Sequence, residues 1–160
     1  MKLPFFHLLQ EDKIKILIQK KKINISKELK VFSSLNKFSG SINVFLGKVR
    51  KKSKYGSVKY IEIENYEGMT NSQIEKISKK AKKIWNLEDI LIIHRYGKIN
   101  VGEEIVLILV ASEHRKEGLE AIKYLINWLK IKATFWKKEI TSDGDFWVDQ
   151  SPEDLQILKS

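Results

Sequence analysis

The stretch EIVLILVAS, Glu104–Ser112, decides the fold class because it holds the longest apolar run of the sequence, Ile105–Ala111. A membrane-spanning helix needs about 20 apolar residues, so this run is too short to cross a bilayer. Side chains that are apolar on both faces of a strand predict a central position in a sheet. The charged segment SEHRKE that follows predicts the start of a helix.

Strand and helix patterns alternate on both sides of this segment. Apolar residues at every second position predict strands at 13–19 and 57–65, and apolar runs predict strands at 41–47 and 89–94, the latter joined to Glu104–Ser112 by the turn KINVGEE. Three helices fill the remaining segments, and the last runs from about Lys116 to Ile131. The order strand, helix, two strands, helix, two strands, helix predicts an α+β fold, a mostly antiparallel sheet with helices packed on it.

The helix patterns also predict caps and core positions. Ser26 is expected to cap the first helix, and Thr70 with Gln73 predicts a capping box for the second. The residues expected to face the core recur at three- and four-residue spacing. They are Leu29, Phe32, Leu35, Ile74, Ile77, Ala81, Ile84, Leu119, Ile122, Leu125, Ile126 and Leu129.

Composition narrows the class of protein. A chain of 160 residues without repeats or a Pro/Gly-rich linker is expected to form a single domain. The absence of cysteine excludes disulfides, thiolate metal sites and a persulfide carried by the chain itself. The start of the chain lacks an export-signal pattern, so we expect a cytoplasmic protein without membrane attachment.

The net charge of +10 suggests a polyanionic partner, although lysine is abundant throughout the sequence, which weakens that inference. One hypothesis is a small nucleic-acid-binding module that uses the basic, tyrosine-containing segment KVRKKSKYGSVKY, Lys48–Tyr60. Phosphate-loop, dinucleotide, zinc-protease and nucleophile-elbow motifs are all missing, so we expect neither a metal nor a cofactor. His7 and His94 stand alone and are interpreted as structural.

Two basic clusters favour an anionic substrate instead. His114 and Arg115 stand where a helix begins, and a helix N-terminus attracts anions; the alternative is a solvated helix start. Lys130 and Lys137 can converge if the chain turns between them, with Phe135 and Trp136 anchoring the turn against the core. Lysine can act as a base or nucleophile, or stabilise developing negative charge; the alternative is an ordinary lysine-rich helix end.

Three segments closely resemble the catalytic (large) subunit family of molybdopterin synthase. They are FLGKVRKKSKYGSVKYIEIENYEGMT, IHRYGKINVGEEIVLILVASEHRKEGLEAIKYLINWLK and FWKKEITSDGDFWV, and the resemblance as a whole runs in order from about Ser41 to Val148. The resemblance implies an α/β hammerhead fold and a homodimeric core with a small ubiquitin-like sulfur-carrier subunit at each end. It implies conversion of cyclic pyranopterin monophosphate (precursor Z) to molybdopterin, with sulfur delivered by the thiocarboxylated C-terminus of the small subunit.

The same resemblance assigns roles to residues. Lys130 and Lys137 match the family's catalytic lysines, and His114 with Arg115 matches a pair that the opposite protomer supplies. The substrate-binding residues that the resemblance implies are Lys48, Val49, Arg50, His114, Arg115, Lys138 and Glu139.

Other positions depart from the family pattern. Thr134 stands where proline is usual, Leu46 where a small residue is usual, and Asp149 follows the Trp-Val pair where an arginine often comes soon after. The first forty residues match only in outline. We therefore expect an N-terminal appendage at about 1–11 and a C-terminal tail at about 149–160.

Overall fold

The computed structural model describes residues 13–133 and 135–149, together with residue 156. His7, Thr134, the appendage expected at about 1–11 and most of the tail expected at about 149–160 lie outside the described residues. The elements in chain order are β1 (Ile14–Gln19), α1 (Ile25–Leu35), β2 (Ser41–Lys48), β3 (Lys52–Ser53), β4 (Gly56–Asn65), α2 (Met69–Trp85), β5 (Asp89–Arg95), β6 (Gly97–Asn100), β7 (Glu104–Ser112), α3 (Arg115–Ile131), β8 (Phe135–Thr141) and β9 (Gly144–Trp147).

The first sheet has the strand order β1-β5-β7-β2, and all its pairs are antiparallel except β1 with β5. β7 has a neighbour on each side, which confirms its predicted central position. Its side chains alternate between two cores: Val106, Ile108 and Val110 belong to the core that includes α2 and α3. Leu107, Leu109 and Ala111 face the other core, with Phe32 of α1. This double burial explains why the sequence of β7 is apolar throughout.

A second sheet carries the order β3-β4-β8-β9, and β6 pairs with β4 on the edge opposite β8. Its own core contains Val49, Val58, Ile61, Ile63 and Ile99. The segment KINVGEE, expected to be only a turn, begins inside β6, and the turn itself narrows to residues around Gly102, whose φ is +83°. The predicted α+β class is confirmed, but the strands form two sheets where one was expected.

Two predicted helix caps are wrong. Asn24, two residues before Ser26, accepts a hydrogen bond from the backbone N–H of Lys27 and caps α1. The N-cap of α2 is Gly68, and the Thr70 hydroxyl donates to the carbonyl of Tyr66 at 3.0 Å, so no capping box forms. Short polar side chains near a helix start compete for the same backbone groups, which is why the sequence could not separate them.

Three predicted core positions are largely exposed: Leu35, Ile84 and Leu119. Leu35 and Ile84 lie in the last turns of their helices, where the packed stripe ends. In α3 the buried face is set by Gly118, Ala121, Ile122 and Leu125, and this rotates Leu119 outward. Within the described ranges, no helix has both the length and the apolar character needed to cross a membrane.

Candidate active site

A cavity of about 460 Å³ opens where the C-terminal end of α3 and β8 meet the segment that leads into the β3–β4 hairpin. Four residues singled out in the sequence line it: Arg50, Lys130, Lys137 and Glu139. The structure thus brings three cationic side chains and one carboxylate, from three separate segments, to a single concave surface. Such a set suits an anionic ligand.

Strand alternation in β8 decides which of its residues reach the cavity. Phe135, Lys137 and Glu139 line it, because successive side chains of a strand point to opposite faces. Lys138, on the other face, has its Nζ 3.5 Å from Glu62 Oε2. The structure therefore does not place Lys138 in this cavity.

The expected turn at Phe135 and Trp136 is also corrected. These residues begin β8, and Trp136 is 57% exposed rather than anchored in the core. Its ring packs edge-on against Trp147 of β9 at a centroid distance of 6.4 Å. Phe135 alone packs inward, where it contacts two of the hydrophobic cores.

Lys130 belongs to the last turn of α3. The C-terminal end of a helix carries partial negative charge, so a lysine there is favourable in itself. Its position on the cavity follows from what comes next: the helix ends at Ile131, Ala133 is buried against the core, and β8 begins at Phe135. This short connection is what brings Lys130 and Lys137 to the same cavity.

Glu139 is buried, and among the described residues its Oε2 has no hydrogen-bond partner. A buried carboxylate oxygen without a partner is costly unless a ligand or water supplies a donor. Glu139 also lines a smaller adjoining cavity of about 40 Å³, together with Lys48, Arg50 and Lys137. The carboxylate therefore stands between the two spaces.

Val49 fixes the backbone of the segment GKVR. Val49 is buried, its N–H donates to the carbonyl of Glu103 at 3.0 Å, and its own carbonyl accepts from Gly102 at 2.9 Å. These contacts fix the backbone just before Arg50, whose side chain lines both cavities. Val49 thus anchors the segment through its backbone and its burial in the core, while Lys48 reaches only the smaller cavity.

His114 and Arg115 lie at the opposite end of α3 from Lys130. A helix rises about 1.5 Å per residue, so the 17-residue α3 separates the two ends by roughly 24 Å. The His114 side chain is 73% exposed, with Nε2 3.6 Å from a Glu113 oxygen. Neither residue lines either cavity of its own chain.

Five polar cavity residues were missed or discounted by sequence reasoning: Ser53, Lys54, Tyr55, His94 and Asp149. Lys54 and Tyr55 sit in the hairpin and carried no signal beyond basic composition. His94 was interpreted as structural because it is isolated in the sequence. Its position at the end of a buried strand, followed by Arg95 in the HRYG segment, was the available signal.

The His94 ring is fixed on two sides. It stacks on Phe135 with a centroid distance of 3.8 Å and an interplanar angle of 12°, and its Nδ1 lies 2.8 Å from the Arg95 carbonyl oxygen. Burial, with a smaller contribution from the nearby charge of Lys137, lowers the pKa of His94 to about 4 despite the opposing backbone hydrogen bond. The imidazole is therefore neutral at physiological pH.

The described part of the chain contains no group of three or more His, Asp or Glu side chains arranged to hold a metal ion. The cavity offers ammonium, guanidinium, imidazole and carboxylate groups. These groups can bind an anion, move protons and stabilise developing negative charge.

Comparison with known proteins identifies close relatives. The family model described as "MoaE protein" matches residues 18–132. The molybdopterin synthase catalytic subunit of Cereibacter sphaeroides is 36% identical over 145 residues, covering 91% of this chain and 98% of the relative. A molybdopterin biosynthesis MoaE protein from Burkholderia ambifaria superposes with a TM-score of 0.77 at 32% identity, over 91% of this chain and 97% of that chain. A molybdopterin synthase structure from Staphylococcus aureus gives a TM-score of 0.74 at 32% identity, over 84% and 96% of the two chains.

Proposed function

The chain belongs to the MoaE protein family, and from this membership we infer that it is an enzyme, a molybdopterin synthase catalytic subunit. The reaction is the conversion of precursor Z, a cyclic pyranopterin monophosphate, to molybdopterin by insertion of two dithiolene sulfurs. The observation that carries the assignment is the single cavity that collects Arg50, Lys130, Lys137 and Glu139. We place the reaction in the cytoplasm.

The cavity suits both reactants. Precursor Z carries a cyclic phosphate, and the sulfur donor is a thiocarboxylate, so both are anions. Arg50 can hold a phosphate through charge-assisted hydrogen bonds. Lys130 and Lys137 can stabilise the oxyanion that forms on the thiocarboxylate carbon and the carboxylate that leaves after sulfur transfer.

Lysine can also give up a proton, which guanidinium cannot do near neutral pH. One lysine serves as a base while its neighbour keeps its charge. The buried Glu139 carboxylate balances these cations, and its Oε2, which has no partner among the described residues, is available to accept a hydrogen bond from a ligand. The lack of cysteine in this chain fits a reaction whose sulfur arrives on another protein.

The assembly follows from the positions of the site residues. We propose a small ubiquitin-like sulfur-carrier subunit as the partner, with its C-terminus entering the cavity. We also propose that two copies of the chain, each acting as one domain, form a homodimer, because His114 and Arg115 lie too far from their own cavity to serve it. Sedimentation should show a dimer that grows on addition of the small subunit, whereas a monomer at micromolar concentration would contradict the two-protomer site.

The geometry of the segment Lys48–Tyr60 does not favour the nucleic-acid-binding hypothesis. Binding of single strands needs aromatic faces open to bases. The Tyr55 ring instead stacks on Phe146 at 4.7 Å and 6°, and the Lys98 ammonium lies 4.2 Å from the centre of the Tyr60 ring. The tyrosines of this segment are therefore already engaged within the protein.

The decisive experiment is reconstitution. The purified chain is incubated with a thiocarboxylated small subunit and precursor Z, and molybdopterin is measured. We expect product from the native chain and none above background from the Lys130→Ala, Lys137→Ala double variant. Lys51, an exposed residue of the same basic segment that lines neither cavity, provides the control: Lys51→Ala should retain activity. Full activity in the double variant would refute the assignment.

A further inference from the structure

His94 is part of the cavity wall: its ring is buried, yet it lines the same space as Lys137. A histidine that served only as core filling would be equally well replaced by an apolar ring. The contacts of His94 instead specify which of its nitrogens carries a proton.

The 2.8 Å contact between Nδ1 and the Arg95 carbonyl oxygen determines the tautomer. A carbonyl oxygen only accepts hydrogen bonds, so Nδ1 must carry the hydrogen. In a neutral ring the other nitrogen, Nε2, then bears a lone pair and is an acceptor. Stacking on Phe135 restricts rotation of the ring about its axis and so fixes the direction of that lone pair.

Lys137 is the charged group that acts on this ring. The His94 ring stacks on Phe135, and Lys137 lies two residues further along β8 on the same face, so its side chain extends beside the imidazole in the shared cavity. The charge of Lys137 also contributes to the lowered pKa of His94. The other charged groups of the cavity are Arg50, Lys54, Lys130, Glu139 and Asp149. In a cavity with four cations and two carboxylates, a neutral acceptor orients a lysine without neutralising it.

We propose that His94 is a positioning residue for Lys137: its neutral imidazole accepts a hydrogen bond at Nε2 from the Lys137 ammonium and holds that group at the cavity wall. A hydrogen bond to the ammonium stabilises the charged form of lysine. His94 thus sets both the orientation and the proton affinity of Lys137. The proposal rests on the proposed function only in treating Lys137 as a group that acts on the substrate.

Two variants separate this role from simple packing. His94→Phe keeps a flat ring that can stack on Phe135 but removes both ring nitrogens. His94→Gln loses the ring but can place its amide oxygen near the former Nε2 position. The pKa of Lys137 is followed through the 13C chemical shift of its Cε, and thermal unfolding checks that each variant is folded.

We expect the pKa of Lys137 to fall by about one unit in His94→Phe, the size of losing one hydrogen bond to a charged group. It should return to within a few tenths of a unit of the native value in His94→Gln. In the native protein, 15N shifts of the imidazole should show a neutral ring with its proton on Nδ1 at pH 7. The pH profile of molybdopterin formation should move with the pKa of Lys137.

A proton on Nε2, or an unchanged Lys137 pKa in His94→Phe, would overturn the proposal. The 15N measurement of the native tautomer can still overturn the proposal if His94→Phe fails to fold. A shifted Lys137 pKa in a protein that makes no molybdopterin would leave the hydrogen bond standing and reject the proposed function instead.

Discussion

Nη1 of Arg95 lies 3.0 Å from Oε2 of Glu103, and the same nitrogen donates to the carbonyl of Glu104 at 3.0 Å. Arg95 is buried and directly follows His94, so these contacts tie the end of β5 to the turn before β7. Lys22 reaches the other Glu103 oxygen at 3.0 Å. The network fixes the backbone behind the cavity wall that carries His94.

The ion pairs of Glu103 should make the stability of the folded protein sensitive to acid. Hydrogen bonds from Lys22 and Arg95 lower its pKa from 4.5 to about 2 in the folded protein. Between these values the unfolded chain binds the extra proton, so the stabilisation is complete above about pH 4.5 and is lost as the pH falls toward 2. Thermal unfolding measured from pH 7 to pH 2 should show this loss.

Glu103→Gln should flatten that part of the curve, because a glutamine does not titrate. Glu67→Gln is the control, since Glu67 is exposed before α2 and should leave the curve unchanged. A Glu103→Gln curve that parallels the native one would show that the network does not link protonation to stability.

At Gly118, α3 packs so closely against the first sheet that a larger side chain should not fit. A Cβ built on Gly118 would lie 2.7 Å from Ser112 Oγ and 2.9 Å from Asn43 Cγ. Glycine to alanine normally stabilises a helix by up to about 1 kcal/mol. Here overpacking should prevail, and Gly118→Ala should destabilise the protein by about 1–3 kcal/mol in urea unfolding. Lys123→Ala, exposed on the same helix, should change stability by less than about 0.5 kcal/mol.

The sequence predicted the first sheet better than the second because burial by itself accounts for the apolar pattern of the strands in the first sheet. β7 is apolar since it is covered on both faces, and no other element could accommodate that run. β8 carries Lys137 and Glu139 on the face that lines the cavity and Lys138 on the other face, so its sequence resembled a basic turn rather than a strand. β6 has only four residues and gave no periodic signal.

The site divides in the same way. Lys130, Lys137, Glu139 and Arg50 were found through local charge and through family resemblance, and the structure brings them together. His94 could not be recognised because its function depends on Phe135 and Lys137, which are more than forty residues away in sequence. Lys138 does not line the cavity, and the sequence could not show this because charge alone does not tell which face of a strand a lysine occupies.

Replacing Arg50 should reduce the affinity for the substrate. Its guanidinium lines both cavities from a backbone segment that Val49 fixes, so it is placed to hold a phosphate. Arg50→Ala should weaken precursor Z binding by about 1.5–3 kcal/mol, the value of a charge-assisted hydrogen bond. Calorimetry measures the affinity, and unfolding should be nearly unchanged because Arg50 is exposed. The same loss is expected in Arg115→Ala through the partner protomer, and unchanged affinity in both would refute the phosphate-binding role.

The last prediction asks whether Lys130 and Lys137 contribute charge alone or a proton as well. Lys130→Ala and Lys137→Ala should each abolish or severely reduce molybdopterin formation while dimer and small-subunit binding persist. Arginine at either position retains the charge but cannot readily release a proton, and its planar group fills the cavity differently. Lys130→Arg and Lys137→Arg should therefore restore little activity.

The choice of control follows from the structure. The basic segment Lys48–Tyr60 offers Lys51, Lys52 and Lys54 as candidate control positions. Lys54 lines the main cavity and Lys52 the smaller one, which leaves Lys51 as the clean comparison. Lys51→Ala should retain nearly full activity, whereas nucleic-acid binding would make the lysines of this segment more important than Lys130. If arginine restored full turnover at both Lys130 and Lys137, proton transfer by lysine would be excluded and electrostatic stabilisation alone would account for their role.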